Sequence, residues 1–285
     1  MRKLLKYDLK ALFPIWGIST AVIVVFYFLG IFAMRGILDM INTPDSYEPP
    51  FAQIIYQLGS IGAFFLIAIG FVAYPILNYV FILKRFYTHF YTDQGYLTFT
   101  LPVKRTQLMG SKLLSALICM MSSFLLMLGG ILVIALFGSD PQALVNREVL
   151  TFLSNTFTEL WLRVGGWLPV YVVEVLLLLI LFFTVDILFV YTCITLGAVW
   201  SKRYKILVAF LIYYLSGMVL SPFMQFLSVF IFGSSPFYRL EYMNTPSVCV
   251  FAGALMLLIV AVMATIAWLL YYLNVRLLHK KLNLA

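Results

Sequence analysis

VYVVEVLLLLILFFTVDILFVYTCITLGAVW, residues 170–200, holds two carboxylates and no basic residue. A helix needs about 20 mostly apolar residues to cross a hydrocarbon layer ~30 Å thick, and it must satisfy its backbone polar groups internally. This stretch meets the requirement with room to spare. Five more follow the same pattern, at roughly 13–34, 54–83, 113–137, 206–232 and 248–273. Of the 285 residues, 64% are apolar and 11% charged, where a soluble domain carries about a quarter charged. The chain reads as an all-α integral membrane protein with six transmembrane helices, residues 1–285 forming a single domain. Spans longer than needed are expected to tilt or protrude. Pro75 removes a backbone donor from the second span, and the nearby Asn78 can satisfy a freed carbonyl.

The basic residues lie between the apolar stretches. Fifteen of the 19 Lys and Arg fall into four clusters. These are Arg2, Lys3, Lys6 and Lys10; Lys84, Arg85, Lys104, Arg105 and Lys112; Lys202, Arg203 and Lys205; and Arg276, Lys280 and Lys281. They occupy every second connection and are accompanied by only two acids, Asp8 and Asp93. The remaining connections hold four basic residues against seven acids. The positive-inside rule then places both termini in the cytoplasm. The net charge of +8 is accounted for by topology, and no nucleic-acid partner is expected.

Three pieces do not span. Residues 1–12 set Arg2, Lys3, Lys6 and Lys10 opposite Leu4, Leu5, Leu9 and Leu12, the pattern of an amphipathic interfacial helix contacting membrane lipid, although Asp8 interrupts its apolar arc. The outer loop 138–166 contains a mixed segment, 146–163, expected to form a surface helix with Trp161 and Trp167 at headgroup level. The third is the inner loop 84–112, KRFYTHFYTDQGYLTFTLPVKRTQLMGSK. It is too aromatic for a solvated connector. A short helix capped by Thr92 or Asp93 and ended by Pro102 is expected there, with a second helix starting near Thr106. Such a segment fits a groove on another protein.

Asp93 to Arg105 (DQGYLTFTLPVKR), followed by Leu108 and Gly110-Ser111-Lys112-Leu113-Leu114, resembles the corresponding loop of type-2 ATP-binding-cassette exporter permeases. Asp93 stands where that family often has Glu, and Lys104 where Ser is common. The resemblance implies a permease subunit in the plasma membrane, in bacteria the cytoplasmic membrane, paired with a second permease chain as a homo- or heterodimer. It also implies that the loop is a coupling helix received by a cytoplasmic ATPase, with Tyr91, Asp93, Gly95, Tyr96, Leu101, Pro102 and Arg105 as the docking residues. ATP and Mg would then sit on that partner, and no cofactor is expected on this chain. Consistent with this, Gly110-Ser111-Lys112 lacks the upstream Gly and following Ser/Thr of a phosphate-binding loop. The chain is therefore expected not to be an enzyme.

Glu174 and Asp186 are the acids inside predicted spans, 12 residues apart, or ~18 Å along a helix. Intramembrane acids are costly unless paired or hydrated. With Asn78 they are candidates for a substrate path, the competing readings being headgroup exposure for Glu174 and structural hydrogen bonding for Asp186. Cys119, Cys193 and Cys249 lack any ligand or disulfide spacing and read as buried thiols. His89 and His279 have no companions at ligand spacing, so no metal is expected. Gly59, Gly62, Gly129 and Gly130 are candidates for close helix packing. A non-transporting scaffold or sensor subunit using the same loop is the alternative function.

Overall fold

A computed structural model describes residues 2–42, 50–92, 95, 104–139, 147–201, 203–232 and 245–280. Its elements are α1 (Arg2–Asn42), α2 (Phe51–Tyr91), α3 (Arg105–Ser139), α4 (Arg147–Val164), a 3-10 turn (Gly165–Trp167), α5 (Leu168–Trp200), α6 (Lys205–Phe232) and α7 (Thr245–Lys280). Among the described residues, six stretches are long and apolar enough to cross a membrane: Lys3–Ile41, Phe51–Tyr91, Arg105–Gly138, Gly165–Trp200, Lys205–Pro222 and Val250–Leu278. The chain is a multi-pass, all-α membrane protein.

Residues 2–12 are not an element of their own. They are the first turns of α1, which continues through Pro14. One proline costs a helix one hydrogen bond but does not end it where apolar neighbours favour the helix on both sides. Asp8, which interrupts the apolar arc, is 5% exposed, whereas Tyr7 beside it is 70% exposed. The expected surface segment 146–163 is helical, as α4. The second helix expected from Thr106 is α3, starting at Arg105.

The helices gather into two compact units. The first comprises Arg2–Ile82 and Ile118–Phe157, the second Leu83–Leu117 and Thr158–Ala285. Helices α2 and α3 therefore contribute one end to each.

In the first unit, one face of α1 supplies both the apolar core and a ladder of hydrogen bonds. Ile23, Tyr27 and Tyr74 form a buried cluster with Phe71, Met127 and Ile134 packed against it. Trp16 Nε1 donates to Ser123 Oγ at 3.1 Å, Ser19 Oγ to Asn78 Oδ1 at 2.9 Å, and Tyr27 Oη to the Leu126 carbonyl at 2.8 Å. Arg35 donates through Nε and Nη2 to the Phe137 carbonyl, at 3.1 and 3.0 Å. That carbonyl lies in the last turn of α3, where no intrahelical donor remains. Where water does not compete, each of the bonds made by Trp16, Ser19 and Tyr27 contributes about 0.6 kcal/mol.

Glycines let these helices touch. A Cβ on Gly130 would lie 2.1 Å from Tyr27 Cε1, and one on Gly36 would lie 2.3 Å from Ser60 Cβ. Gly59, Gly62 and Gly129 have nothing within 4 Å. Of the four candidate packing glycines, only Gly130 sits in a contact within its unit.

Gly130→Val drives a branched side chain into the Tyr27 ring and is expected to destabilise the protein by about 1–3 kcal/mol. Gly129→Ala, one residue away, is expected to leave stability unchanged or to raise it by up to ~1 kcal/mol. Thermal unfolding of both variants in detergent measures the difference.

Candidate functional site

The second unit collects the two helix ends that flank the 92–104 segment and ties them to α5, α6 and α7. Helix α5 is central to it, packing against both α6 and α7. At Gly197 the backbones meet: a Cβ there would lie 2.6 Å from Ala209 N and 2.7 Å from the Lys205 carbonyl. Only glycine permits that approach, and it seats the first turns of α6 on the last turns of α5.

The end of α2 enters this unit through aromatic side chains. Phe86, Phe90 and Tyr91 are 1%, 0% and 5% exposed. The Phe86 ring stacks on Tyr191 of α5, with centroids 3.7 Å apart and planes 6° from parallel. Tyr91 Oη donates to Thr195 Oγ1 at 2.9 Å. The Thr195 hydroxyl proton in turn lies between the Tyr191 carbonyl at 2.8 Å and Asn274 Oδ1 at 3.1 Å. Asn274 Nδ2 donates to Thr192 Oγ1 at 2.8 Å, to the Leu270 carbonyl at 3.0 Å and to the Leu188 carbonyl at 3.3 Å. Thr195 and Asn274 are fully buried. Leu188, Thr192 and Thr195 recur at i, i+4 and i+7, so one face of α5 presents every group of that helix that bonds to the amide.

Backbone ends are held as well. Lys205 Nζ, on the first residue of α6, donates to the Tyr91 carbonyl at the end of α2 at 3.2 Å. Arg105 Nη1, at the start of α3, donates to the Leu278 carbonyl of α7. Tyr271 Oη donates to the Thr106 carbonyl at 2.9 Å. Tyr91 and Leu278 lie in final turns, where carbonyls lack intrahelical donors and cations are favoured. Hydrogen bonds to charged groups contribute about 1.5–3 kcal/mol each. The five consecutive residues Leu108 to Lys112 are all buried, so the second half of the family-like motif is core.

Among the residues expected to dock a partner, Tyr91 points inward to Thr195, Gly95 is buried, and Arg105 reaches α7. The Gly95 amide donates to the Thr92 carbonyl at 2.7 Å, and a Cβ on Gly95 would lie 2.8 Å from the Phe90 carbonyl oxygen. Asp93, Tyr96, Leu101 and Pro102 lie outside the described residues.

The three candidate path residues are not one cluster. Asn78 belongs to the first unit, where it accepts from Ser19 and donates Nδ2 to the Tyr74 carbonyl at 3.1 Å. Beside it, Leu12, Trp16, Phe81 and Cys119 line a void no larger than a water. Glu174 and Asp186 belong to the second unit. Asp186 is half-buried, and Glu174 is 3% exposed. The Glu174 side chain turns in against Gly253 of α7. Cys119 and Cys193 are buried free thiols. Among the described residues, no three His, Cys, Asp or Glu side chains gather where they could hold a metal ion.

No family model matches the chain, and neither a curated protein nor a solved structure is significantly similar to it.

Thr192, Thr195, Tyr271 and Asn274 did not stand out in the sequence, and Lys205 stood out only as a member of a basic cluster. The available signal was Asn274, a lone amide ending a long apolar run. Asn274→Leu removes the amide's bonds to Thr192, Thr195 and the Leu188 carbonyl and is expected to cost about 1–3 kcal/mol, with Tyr91→Phe costing about 0.5–1.5 kcal/mol. Because the residues share Thr195, the double variant is expected to lose less than the sum. Unfolding midpoints of the four proteins in detergent give the coupling.

Proposed function

We propose that the chain is the permease subunit of an ATP-driven exporter in a bacterial cytoplasmic membrane. It forms the translocation path with a second permease chain and is driven by a separate cytoplasmic ATPase. The ATPase engages the segment between α2 and α3, on the side of the membrane that carries the basic clusters. Six spans and the family-like motif at Asp93–Arg105 favour this reading.

The observation that carries it is the attachment of both loop ends. One end is bonded through Tyr91 to Thr195 on α5 and Lys205 on α6. The other is bonded through Arg105 and Thr106 to α7. A connector that only links two spans needs none of these bonds. A segment that must deliver displacement to three further spans needs all of them, because force travels through contiguous packed and bonded groups. ATP-dependent closure of the partner would push the loop, and α5, α6 and α7 would follow. Gly95 matters here because any side chain at that position displaces the backbone after Phe90.

Tagged chain purified from its native host is expected to retain a protein carrying a Gly-x-x-x-x-Gly-Lys-Ser/Thr motif and ATPase activity. Gly95→Val is expected to keep the helical fold, with a lowered thermal midpoint, while cutting co-purified ATPase about tenfold or more. Wild-type chain that travels with no ATPase would contradict the reading.

A further inference from the structure

Near its C-terminal end, α7 carries a cation and two aromatic rings in line. Trp268, Tyr272 and Arg276 stand at i, i+4 and i+8, one face of a helix. All three are exposed. The Trp268 and Tyr272 rings stack with centroids 6.0 Å apart and planes 16° from parallel. Leu269 and Leu273, beside them on the same face, are exposed as well. Asn274 lies two residues from both Tyr272 and Arg276, ~160° round the helix, and its side chain bonds to α5. The same turns thus grip α5 on one side and present this ladder on the other.

The order of these groups along the helix matches the order of groups along a phospholipid. The helical rise puts Tyr272 ~6 Å and Trp268 ~12 Å below Arg276. The headgroup layer on each side of the hydrocarbon core is about 5–8 Å thick. With Arg276 level with the phosphates, Tyr272 falls at the boundary between headgroup and hydrocarbon, where an amphipathic ring is favoured. Trp268 falls inside the acyl layer. A guanidinium fits a phosphate as a planar fork, and the Tyr272 hydroxyl is a donor at the depth of the glycerol esters. The stacked rings and the two leucines form an apolar wall for an acyl chain. Helix α7 contains no acidic residue, so no ion pair along its own helix neutralises Arg276. This face is positively charged, and its complement is a lipid of net negative charge.

We propose that Trp268, Tyr272 and Arg276 bind one anionic phospholipid in the leaflet at the C-terminal end of α7. Its phosphate takes the Arg276 guanidinium, its ester region the Tyr272 hydroxyl, and one acyl chain lies along Trp268. A lipid held there braces the outer side of the turns whose inner side carries Asn274. The position goes beyond the exporter reading and does not depend on it, requiring neither an ATPase nor transport.

Bromine on an acyl chain quenches indole fluorescence at contact, which gives the test. The purified full chain is placed in phosphatidylcholine nanodiscs containing increasing fractions of phosphatidylglycerol with dibrominated chains, or of dibrominated phosphatidylcholine. Each protein is compared with its own Trp268→Phe form, and the difference isolates the Trp268 signal. In wild type, phosphatidylglycerol is expected to quench that signal with about fivefold higher relative affinity than phosphatidylcholine, the effect of one cation near an anionic headgroup. Arg276→Gln is expected to make the two lipids equal. Arg203→Gln, which removes an exposed cation from the α5–α6 connection, is expected to leave the preference unchanged, so a local position is separated from general surface charge. The substituted side chains are exposed, so the fold is expected to persist in each. Equal quenching by the two lipids in wild type, an unaltered preference in Arg276→Gln, or an equal loss in Arg203→Gln would overturn the proposal. So would a Trp268 signal that neither lipid quenches, the outcome expected if a second copy of the chain covers this face. The assay contains no ATPase, so failure to find an ATPase partner would sink the exporter reading while leaving this result standing.

Discussion

The Asn274 side chain has no access to water, so every hydrogen bond it makes must come from the protein. An amide in an apolar surround leaves its helix no freedom to rotate or slide, because any movement strands a donor at a cost of about 1–3 kcal/mol. Apolar packing alone does not impose this, since one lipid-like surface slides on another with little penalty. Asn274 fixes α7 against α5 through Thr192, Thr195 and the Leu188 carbonyl. Through Thr195 the same network takes hold of Tyr91 at the end of α2. The second unit is built around that connection.

The two units answer the problem of specificity in lipid differently. In the first, pairwise hydrogen bonds are spread along α1 and close approach is made by glycines such as Gly36 and Gly130. In the second, the polar contacts converge at one level and are joined there by cations on carbonyls in final helical turns. A distributed ladder makes a rigid block. The concentrated network stands where the chain enters and leaves the 92–104 segment, the place the proposed function needs a transmission point. The charged groups that mark this region in the sequence therefore have two roles: Lys84 and Lys104 are exposed, while Arg105 and Lys205 hold helix ends.

Hydrophobic run length made the six spans legible, because the bilayer constraint acts on composition and needs no tertiary knowledge. The ends were less legible. In the sequence the last apolar stretch stops at 273, one residue before Asn274, because an amide looks like the edge of a span until its partners are known. The charged segment 1–12 reads as separate from the first span, yet α1 runs through it and through Pro14. Gly129 and Gly130 are equivalent in sequence and opposite in structure, since 100° of helical rotation separates a packed face from an open one. Tyr91 and Arg105 were found by resemblance to a coupling loop, but their inward bonds were invisible, because Thr195 and Leu278 lie more than 100 positions away. Glu174 stood out as an intramembrane acid; its burial against Gly253 required the packing of α5 on α7.

The central claim is that load applied at the end of α2 reaches α5 and α7 through the Tyr91–Thr195–Asn274 contacts. Hydrogen–deuterium exchange on the full chain in nanodiscs, comparing wild type with Thr195→Val, tests this most directly. The account predicts faster exchange in three separate segments at once: residues 86–92, 188–197 and 270–278. Faster exchange confined to the segment around residue 195, with the ends of α2 and α7 as protected as in wild type, would contradict it.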